Sequence, residues 1–477
     1  MATADVSAPA GEYAARREQW KLARALLGGT SAMRAAGKDH LPRFEAEEEA
    51  AWRRRLASTV LHAGFATIVR TMAGLPFSKA IAFGDDIMPE LAGQAGEDNV
   101  RTGGWAEDID LKGNHLQVFG KRVFLEALAL GSSHILVDMP AGAPRTAAYD
   151  LKRRPRWCHY APEQLLDARR SLVDGRERYV HVRLLERIRT HQGYAESYVD
   201  QVREIEPGAW RIWRRSKSGT WAVFGEGEYA LPYVTLVPFL TGTERGEFTA
   251  SAPLDNCAHL NVAHWQSSSD QRNVLTFSRF AMLFVKGSSS AADIKLGPMT
   301  VITTDEQFGD AKVLEHSGAA IEAGERDLKN LEAQMEAEGL KMLVRRPGNV
   351  TATQMVIDEA KDQSELEALA GEFSDALELA AQYTAAWLGR PEGSGGSIAV
   401  SKDFGVVPNA EKIMATVLKL RELGDIAAED ALEELKRAGV LSETLNVADA
   451  LERAAHDMAR VMAAAQTAGP AAEPDDG

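Results

Sequence analysis

The chain has 477 residues, 45% of them hydrophobic and 26% charged, with a formal net charge of −15. That length allows about three domain-sized units with buried cores, and the composition excludes collagen-like, disulfide-stapled and wholly disordered classes. The acidic balance argues against a protein that grips nucleic acid over its whole surface, because neutralising phosphates requires Lys and Arg. It permits a protein past which DNA slides.

Cys158 and Cys257 stand far apart, forming neither a zinc cluster nor a disulfide framework, and fit a reducing cytosol. Met1 to Gly11 is Ala-rich without a basic region leading into an apolar one, so it does not read as a signal peptide. No run of about 18 apolar residues occurs, so no membrane-spanning helix is expected.

In chain order, Tyr13–Leu27 reads as an amphipathic helix ended by Gly28 and Gly29. Gly37–Arg43 (GKDHLPR) is a turn. Glu45–Met72 reads as a second helix, with Trp52, Leu56, Val60, Phe65, Ile68 and Met72 at near-helical spacing. A Gly- and Asp-rich loop spans Gly84–Gly104, and Leu116–Leu130 is a helix stopped by Gly131. His134–Val137 is a short buried strand.

From Arg156 to Phe239 the period changes towards two, and short β-rich segments alternate with turns at Glu206–Gly208 and Ser216–Gly219. Leu254–Val285 is expected to be helical. Gly287–Leu314 carries an expected strand at Met299–Ile302. Ala320–Leu340 is a helix with Ile321, Leu328, Leu331 and Met335 on one stripe, and Thr353–Leu388 is the longest helix. Its apolar face carries Leu366, Leu369, Phe373, Leu377, Ala380 and Trp387. Gly389–Ser397 reads as a linker, Asn409–Ala465 as helical and the segment from Ala468 as a disordered tail. The fold class is α+β.

Charge is uneven. Residues 151–217 hold 16 Lys and Arg against 9 Asp and Glu, whereas residues 353–389 hold 8 acids and one Lys. A solvated sheet face and solvated helix faces would account for this without any special function.

Known catalytic patterns are missing. No GxxxxGK[ST] loop exists, so the chain is not an ATP-driven motor of that type. Gly225-Glu226-Gly227 lacks the third glycine and helix start of a dinucleotide fingerprint, and Gly131-Ser132-Ser133-His134 lacks the second glycine of a nucleophile elbow. Asp255 and His259 stand one helical turn apart, but His264 falls off that face, so a polar helix face is expected rather than a metal site. The acids of Glu45–Glu49 read as a solvated first helical turn. No catalytic residue, cofactor or metal is expected.

Several ordered motifs nevertheless stand out: Gly37–Arg43 followed by Trp52–Leu56; His134–Pro140; Arg154–Trp157 with Tyr160–Glu163; Pro253–Asp255; and His264–Asp270 (HWQSSSD). Leu296–Pro298, Gly318–Ile321 leading to Leu331-Glu332, and Thr351–Thr353 follow. Over residues 15–405 this series resembles, in colinear order, a phage family long filed as a domain of unknown function and grouped with portal proteins.

The resemblance implies a non-enzymatic subunit of a dodecameric homo-oligomeric ring at one capsid vertex of the virion, assembled in the bacterial host cytoplasm. Double-stranded DNA would pass through it during packaging and ejection. The terminase large subunit, a head–tail adaptor and the major capsid protein would be partners, with no membrane involved. The regions implied are 12–165 for the N-terminal part of the wing, 166–253 for a β-rich wing and clip region, 254–285 for a stem helix and 286–318 for the neighbourhood of a tunnel loop. Residues 319–404 would be wing helices, 405–467 a helical crown and 468–477 a disordered tail.

A mostly acidic wall keeps phosphates off, and a few cations at a constriction can steer or brake the duplex. Arg272, Arg279, Lys286 and Lys295 are the DNA-channel candidates on that logic. The alternatives are another phage head component such as an adaptor, a hydrolase of unknown type, or an intracellular scaffold that binds partner helices.

Overall fold

Where the apolar residues recur at helical spacing, helices form. Trp20, Ala23 and Leu26 are buried along Gly11–Leu27, and the Trp20 indole donates to the Leu130 carbonyl at 2.9 Å. The structure is a computed structural model. It describes residues 5–95, 101–140, 153–215, 219–278, 282–286, 310–314, 318–344, 364–402, 404, 410–423, 426–437, 441 and 446–456. Helices and several separate sheets make it α+β, as expected. The chain divides into two units. The first comprises Met1–Thr71, Arg122–Leu136 and Cys158–Gly339; the second comprises Met72–Lys121, Val137–Trp157 and Leu340–Gly477.

In the first unit the Gly28-Gly29 pair does not end helical structure. A second helix, Gly29–Ala36, begins at once, with Gly29 at φ 73° making the bend. The expected continuous helix over Glu45–Met72 is instead two, Glu49–Ser58 and Gly64–Gly74. Tertiary hydrogen bonds take over at the break. The Arg34 guanidinium donates to the Thr59 carbonyl at 2.8 Å, and Thr30 Oγ1 accepts from the Leu61 amide at 3.1 Å.

Short strands are β1 (Ala82–Phe83), β2 (Gln94–Ala95) and β3 (Arg101–Thr102). They are followed by β4 (Ser132–Asp138), all seven residues buried, and β5 (Arg156–Tyr160). The meander then runs through β6 (Leu165–Val173), β7 (Arg176–Gln192), β8 (Ala195–Glu206), β9 (Ala209–Arg215) and β10 (Trp221–Glu228). These five strands form one antiparallel sheet in the order β10-β9-β8-β7-β6. Its core gathers Leu165, Ala168, Tyr179, Val182, Leu184 and Ile205 with Leu136, Val234, Leu236 and Phe248. The tryptophans of these strands serve the sheet: the Trp210 ring covers Gly227, and the Trp213 indole donates to Glu204 at 3.0 Å. Strand β11 (Leu236–Leu240) pairs antiparallel with β4, Leu236 opposite Leu136.

Helix Leu116–Leu130 has the expected bounds. Gly131 ends it at φ 87°, donating to Ala127 and accepting from the Thr241 amide. A Cβ at Gly131 would lie 2.1 Å from the Ala250 carbonyl oxygen.

The expected helix Leu254–Val285 is helical over Asp255–Ser278 and ends there; Met282–Lys286 is strand β12, paired with β13 (Asp310–Leu314) from Met282 opposite Leu314 to Lys286 opposite Asp310. The residues Met-Leu-Phe-Val suit a pleated surface at least as well as a helix, and the partner strand decides between them. The strand expected at Met299–Ile302 lies outside the described residues.

In the second unit, Glu365–Trp387 is the central helix, with Leu366, Leu369, Phe373, Leu377 and Ala380 buried. Ser364 caps it: its hydroxyl accepts from the Glu367 amide at 3.2 Å, and Glu367 accepts from the Ser364 amide at 2.7 Å. The expected earlier start at Thr353 lies outside the described residues. The Trp157 indole donates to Thr384 and the Trp387 indole to the Val137 carbonyl, both at 2.9 Å, while the Phe77 and Phe373 rings meet edge-on. The expected linker Gly389–Ser397 leads directly into strand β14 (Ile398–Ala399), which pairs with β1. Helices Ala410–Leu423 and Ala428–Arg437 close a small cluster of Val417, Ala431 and Leu435.

Substituting Gly131→Ala should destabilise the fold by well over the ~1 kcal/mol of a strained left-handed residue alone, because the methyl also meets backbone. Gly175→Ala, at φ 76° but with open space around it, should cost only that strain. Thermal unfolding of the two variants, compared with the parent, checks the difference.

Candidate functional site

The helices Asp255–Ser278 and Ala319–Lys341 lie antiparallel, as their contacts show. Gln271 Nε2 donates to the Ile321 carbonyl at 2.9 Å, Ser267 Oγ to Asp327 at 2.7 Å, and His264 Nε2 lies 3.1 Å from Glu332 Oε1. Position numbers fall on one helix as they rise on the other. Gly324 permits the close approach, since a Cβ there would lie 2.0 Å from Gln271 Oε1.

The polar run His264–Asp270 thus has a physical reason. His264, Ser269 and Gln271 are buried together with Asn261, each in hydrogen-bonding contact, and Trp265 is fully buried among them. A helix that looks too polar for a core is here the polar seam of a core.

The other side of the Asp255–Ser278 helix meets the N-terminal segment. Arg55, its side chain only 4% exposed, sits at the centre. Its guanidinium donates to both Glu47 carboxylate oxygens at 2.8 Å and to the Pro42 carbonyl at 2.9 Å. It also reaches Ser269 Oγ at 3.3 Å and Asp270 Oδ1 at 3.5 Å, and lies over the Phe44 ring. Nearby, Gln266 donates to the His40 carbonyl at 3.0 Å, and the Trp52 indole to the Leu41 carbonyl at 2.9 Å. Asn261 accepts from the Phe65 amide and donates to the His62 carbonyl. The N-terminal motifs Gly37–Arg43 and Trp52–Leu56 therefore meet the His264–Asp270 motif, much further along the chain, at one place.

Charge follows from this geometry. Hydrogen bonding to Arg55 holds the Glu47 carboxyl below its ordinary range. Partial burial raises Asp270, against the opposing pull of Arg55. Burial lowers His264, partly offset by Glu332.

Of the four channel candidates, Arg272 is exposed on the Asp255–Ser278 helix and donates to the Ser58 carbonyl at 3.2 Å, at the end of helix Glu49–Ser58. Lys286 ends strand β12 opposite Asp310. Arg279 and Lys295 lie outside the described residues. His259 and Asp255 stand 3.8 Å apart on the exposed face, and His264 turns away from them to Glu332 and His62. The exposed face of Ala319–Lys341 carries Glu322, Glu325, Asp327 and Glu336 against Arg326, Lys329 and Lys341.

The Arg55–Glu47 pair escaped the sequence reading: a solvated first helical turn is expected over Glu45–Glu49, but the helix begins at Glu49 and Glu47 turns in to Arg55. The available signal was spacing: Arg55 falls three positions after Trp52, on the buried face of its helix, whereas Arg53 and Arg54 face out. Part of the meander's basic charge is paired or stacked within the sheet. Arg183 and Arg169 meet Asp167 at 3.2 and 3.0 Å, Arg211 approaches Glu204 and Glu206, and Arg214, Arg187 and Arg178 lie over Phe224, Tyr198 and Tyr233.

Residues 253–388 match a family described as a domain of unknown function (DUF4055). No curated protein matches the chain. Among solved structures, the chain is similar to one from the neck of an empty GTA particle computed with C6 symmetry. The identity is 11%, covering 78% of this chain and 90% of that one, with a TM-score of 0.36. It is also similar to a chain of the virion of a native gene transfer agent (GTA) particle, at 10% identity over 86% and 98% of the two chains and a TM-score of 0.34. A chain from the neck of a native GTA particle computed with C12 symmetry gives 8% identity, 77% and 88% coverage and a TM-score of 0.35.

Removing the central guanidinium leaves the partly buried Glu47 carboxylate, the Pro42 carbonyl and the buried Ser269 hydroxyl without their shared donor. Arg55→Ala should cost about 3–5 kcal/mol in urea unfolding, and Arg55→Lys should recover only part of it because an ammonium cannot span both carboxylate oxygens. The contribution of the pair should be fully present above the unfolded Glu pKa of about 4.3 and fade as pH falls through the lowered folded value. The parent should thus lose more stability on acidification than Arg55→Ala does.

Proposed function

We propose that this chain is the subunit of a phage-type portal: a homo-oligomeric, dodecameric ring at the capsid vertex of a virion, through which double-stranded DNA is packaged and ejected. The observation that carries this is the convergence of the Gly37–Arg43 and Trp52–Leu56 signature with the His264–Asp270 motif on one fixed antiparallel helix pair whose exposed face interleaves carboxylates with a few cations. At 1.5 Å per residue, helices of 24 and 23 residues extend about 35 Å. A pair of that length, held by a buried polar seam on one side and carrying carboxylates outside, suits a wall along a DNA path. With acids and bases interleaved, it offers phosphates little net attraction and so adds little friction.

In this reading residues 12–165 form most of the N-terminal wing, 166–253 the β-rich wing and clip region, and 254–285 the stem, helical to Ser278. Residues 286–318 adjoin the tunnel loop, 319–404 are wing helices and 405–467 the crown. The terminase large subunit and a head–tail adaptor dock on the clip, and the major capsid protein surrounds the wing. The ring is assembled in the host cytoplasm and does its work by shape and charge, without catalysis. Arg272, Arg279, Lys286 and Lys295 are the sparse cations that steer or brake the duplex.

Light scattering on a sizing column, with negative-stain images of the peak, tests ring formation. Twelve copies of 51.8 kDa give about 620 kDa. An annular particle near that mass is expected. A monomer or dimer at every salt and protein concentration would contradict the portal reading and favour a scaffold or adaptor.

A further inference from the structure

We propose that His62, His264 and Glu332 form a divalent transition-metal site that clasps the loop before helix Gly64–Gly74 to the antiparallel helix pair. The three side chains come from three separate elements: His62 from the loop, His264 from Asp255–Ser278 and Glu332 from Ala319–Lys341. One ligand atom from each lies within 4.8 Å of the others. Glu332 Oε1 is 3.1 Å from His264 Nε2 and 3.8 Å from His62 Nδ1, and the two imidazole rings stand 4.9 Å apart between centroids.

Those separations suit a shared ion. With metal–nitrogen and metal–oxygen bonds of about 2.0–2.2 Å, adjacent ligand atoms of a tetrahedral or octahedral ion stand about 3.0–3.5 Å apart. The His264–Glu332 pair already has that spacing, and a shift of the exposed His62 ring, whose Nδ1 is 3.8 Å from Glu332, supplies the rest. Two imidazoles and one carboxylate select zinc, nickel or cobalt over magnesium or calcium, with water filling the open positions.

The surroundings bear on which atoms would hold the ion and how tightly. His264 is buried and presents Nε2 to Glu332. Asp327 is the next acid towards it on the partner helix and is held by Ser267, leaving Glu332 as the carboxylate nearest the ion. His264 Nδ1 is buried without a hydrogen-bond partner. With Nε2 on the metal, the ring proton sits on that unpartnered nitrogen, which weakens binding relative to a site with a second carboxylate behind each histidine.

A second trio, His181, Glu204 and Glu206, differs in kind. Arg211 stands 3.5 and 3.3 Å from its two carboxylates, and the Trp213 indole donates to Glu204. A cation is therefore already in place there. The inference rests on the side-chain geometry of the first unit and not on the ring reading.

The test is titration of the tag-free, chelator-treated full-length protein with Zn²⁺ or Ni²⁺ by calorimetry, alongside thermal unfolding and the visible spectrum with Co²⁺. One ion per chain, a higher melting temperature with metal, and Co²⁺ d–d bands are expected. Loss of a ligand should weaken binding by at least the ~10–100-fold that outer-sphere partners contribute. His62→Ala, on an exposed loop residue, is the primary variant, because it should fold normally and yet lose the metal-dependent rise in melting temperature. Glu332→Gln should weaken binding while keeping the seam hydrogen-bonded. Absence of stoichiometric binding in the parent, or binding and metal-induced stabilisation unchanged in His62→Ala, would overturn the site.

Discussion

The Arg55 guanidinium organises the first unit. It is a charge held almost out of water, and a buried charge is tolerated only with partners on every side. Glu47 supplies the counter-charge, Pro42 a carbonyl, and Ser269 and Asp270 the far side. Because these groups come from a turn, a helix start and a helix of the antiparallel pair, satisfying one side chain fixes three segments. Gln266 on the His40 carbonyl and Asn261 on the backbone of His62 and Phe65 repeat the device along the same helix.

This arrangement explains which parts of the fold could be read from the sequence. Helices Gly11–Leu27, Leu116–Leu130 and Ala319–Lys341 are set by local apolar spacing and by glycine at a terminus, so their positions were legible. The meander was legible for the same reason at a period of two. The break after Ser58 was not, because Thr59 and Leu61 leave the helix for hydrogen bonds to Arg34 and Thr30, which sequence spacing does not reveal. The helix expected to reach Val285 stops at Ser278 because Met282–Lys286 finds a strand partner at Asp310–Leu314.

The candidate site was legible only in part. The motifs Gly37–Arg43, Trp52–Leu56 and His264–Asp270 stood out, but the reason for them did not. A polar helix face was expected at Asp255, His259 and His264, whereas His264 is buried and hydrogen-bonded together with Ser269 and Gln271. Polarity alone cannot separate a wet face from a satisfied seam. Among the cations chosen for DNA, the described Arg272 side chain is partly engaged by the Ser58 carbonyl, at a helix end where a positive charge is favoured in any case. Part of the charge on the meander is paired with carboxylates or stacked on aromatic rings, and the outer face of Ala319–Lys341, where Glu322, Glu325, Asp327 and Glu336 alternate with Arg326, Lys329 and Lys341, is the face proposed for the DNA path.

The most direct test of that conclusion is electron cryomicroscopy of the assembled particle at a resolution that traces side chains. A closed ring with Ala319–Lys341 beside the central opening, and with Glu322, Glu325 and Glu336 turned towards the lumen, is the expected result. A ring that buries this face between subunits or places it on the outer perimeter would contradict a DNA-lining role for the helix pair.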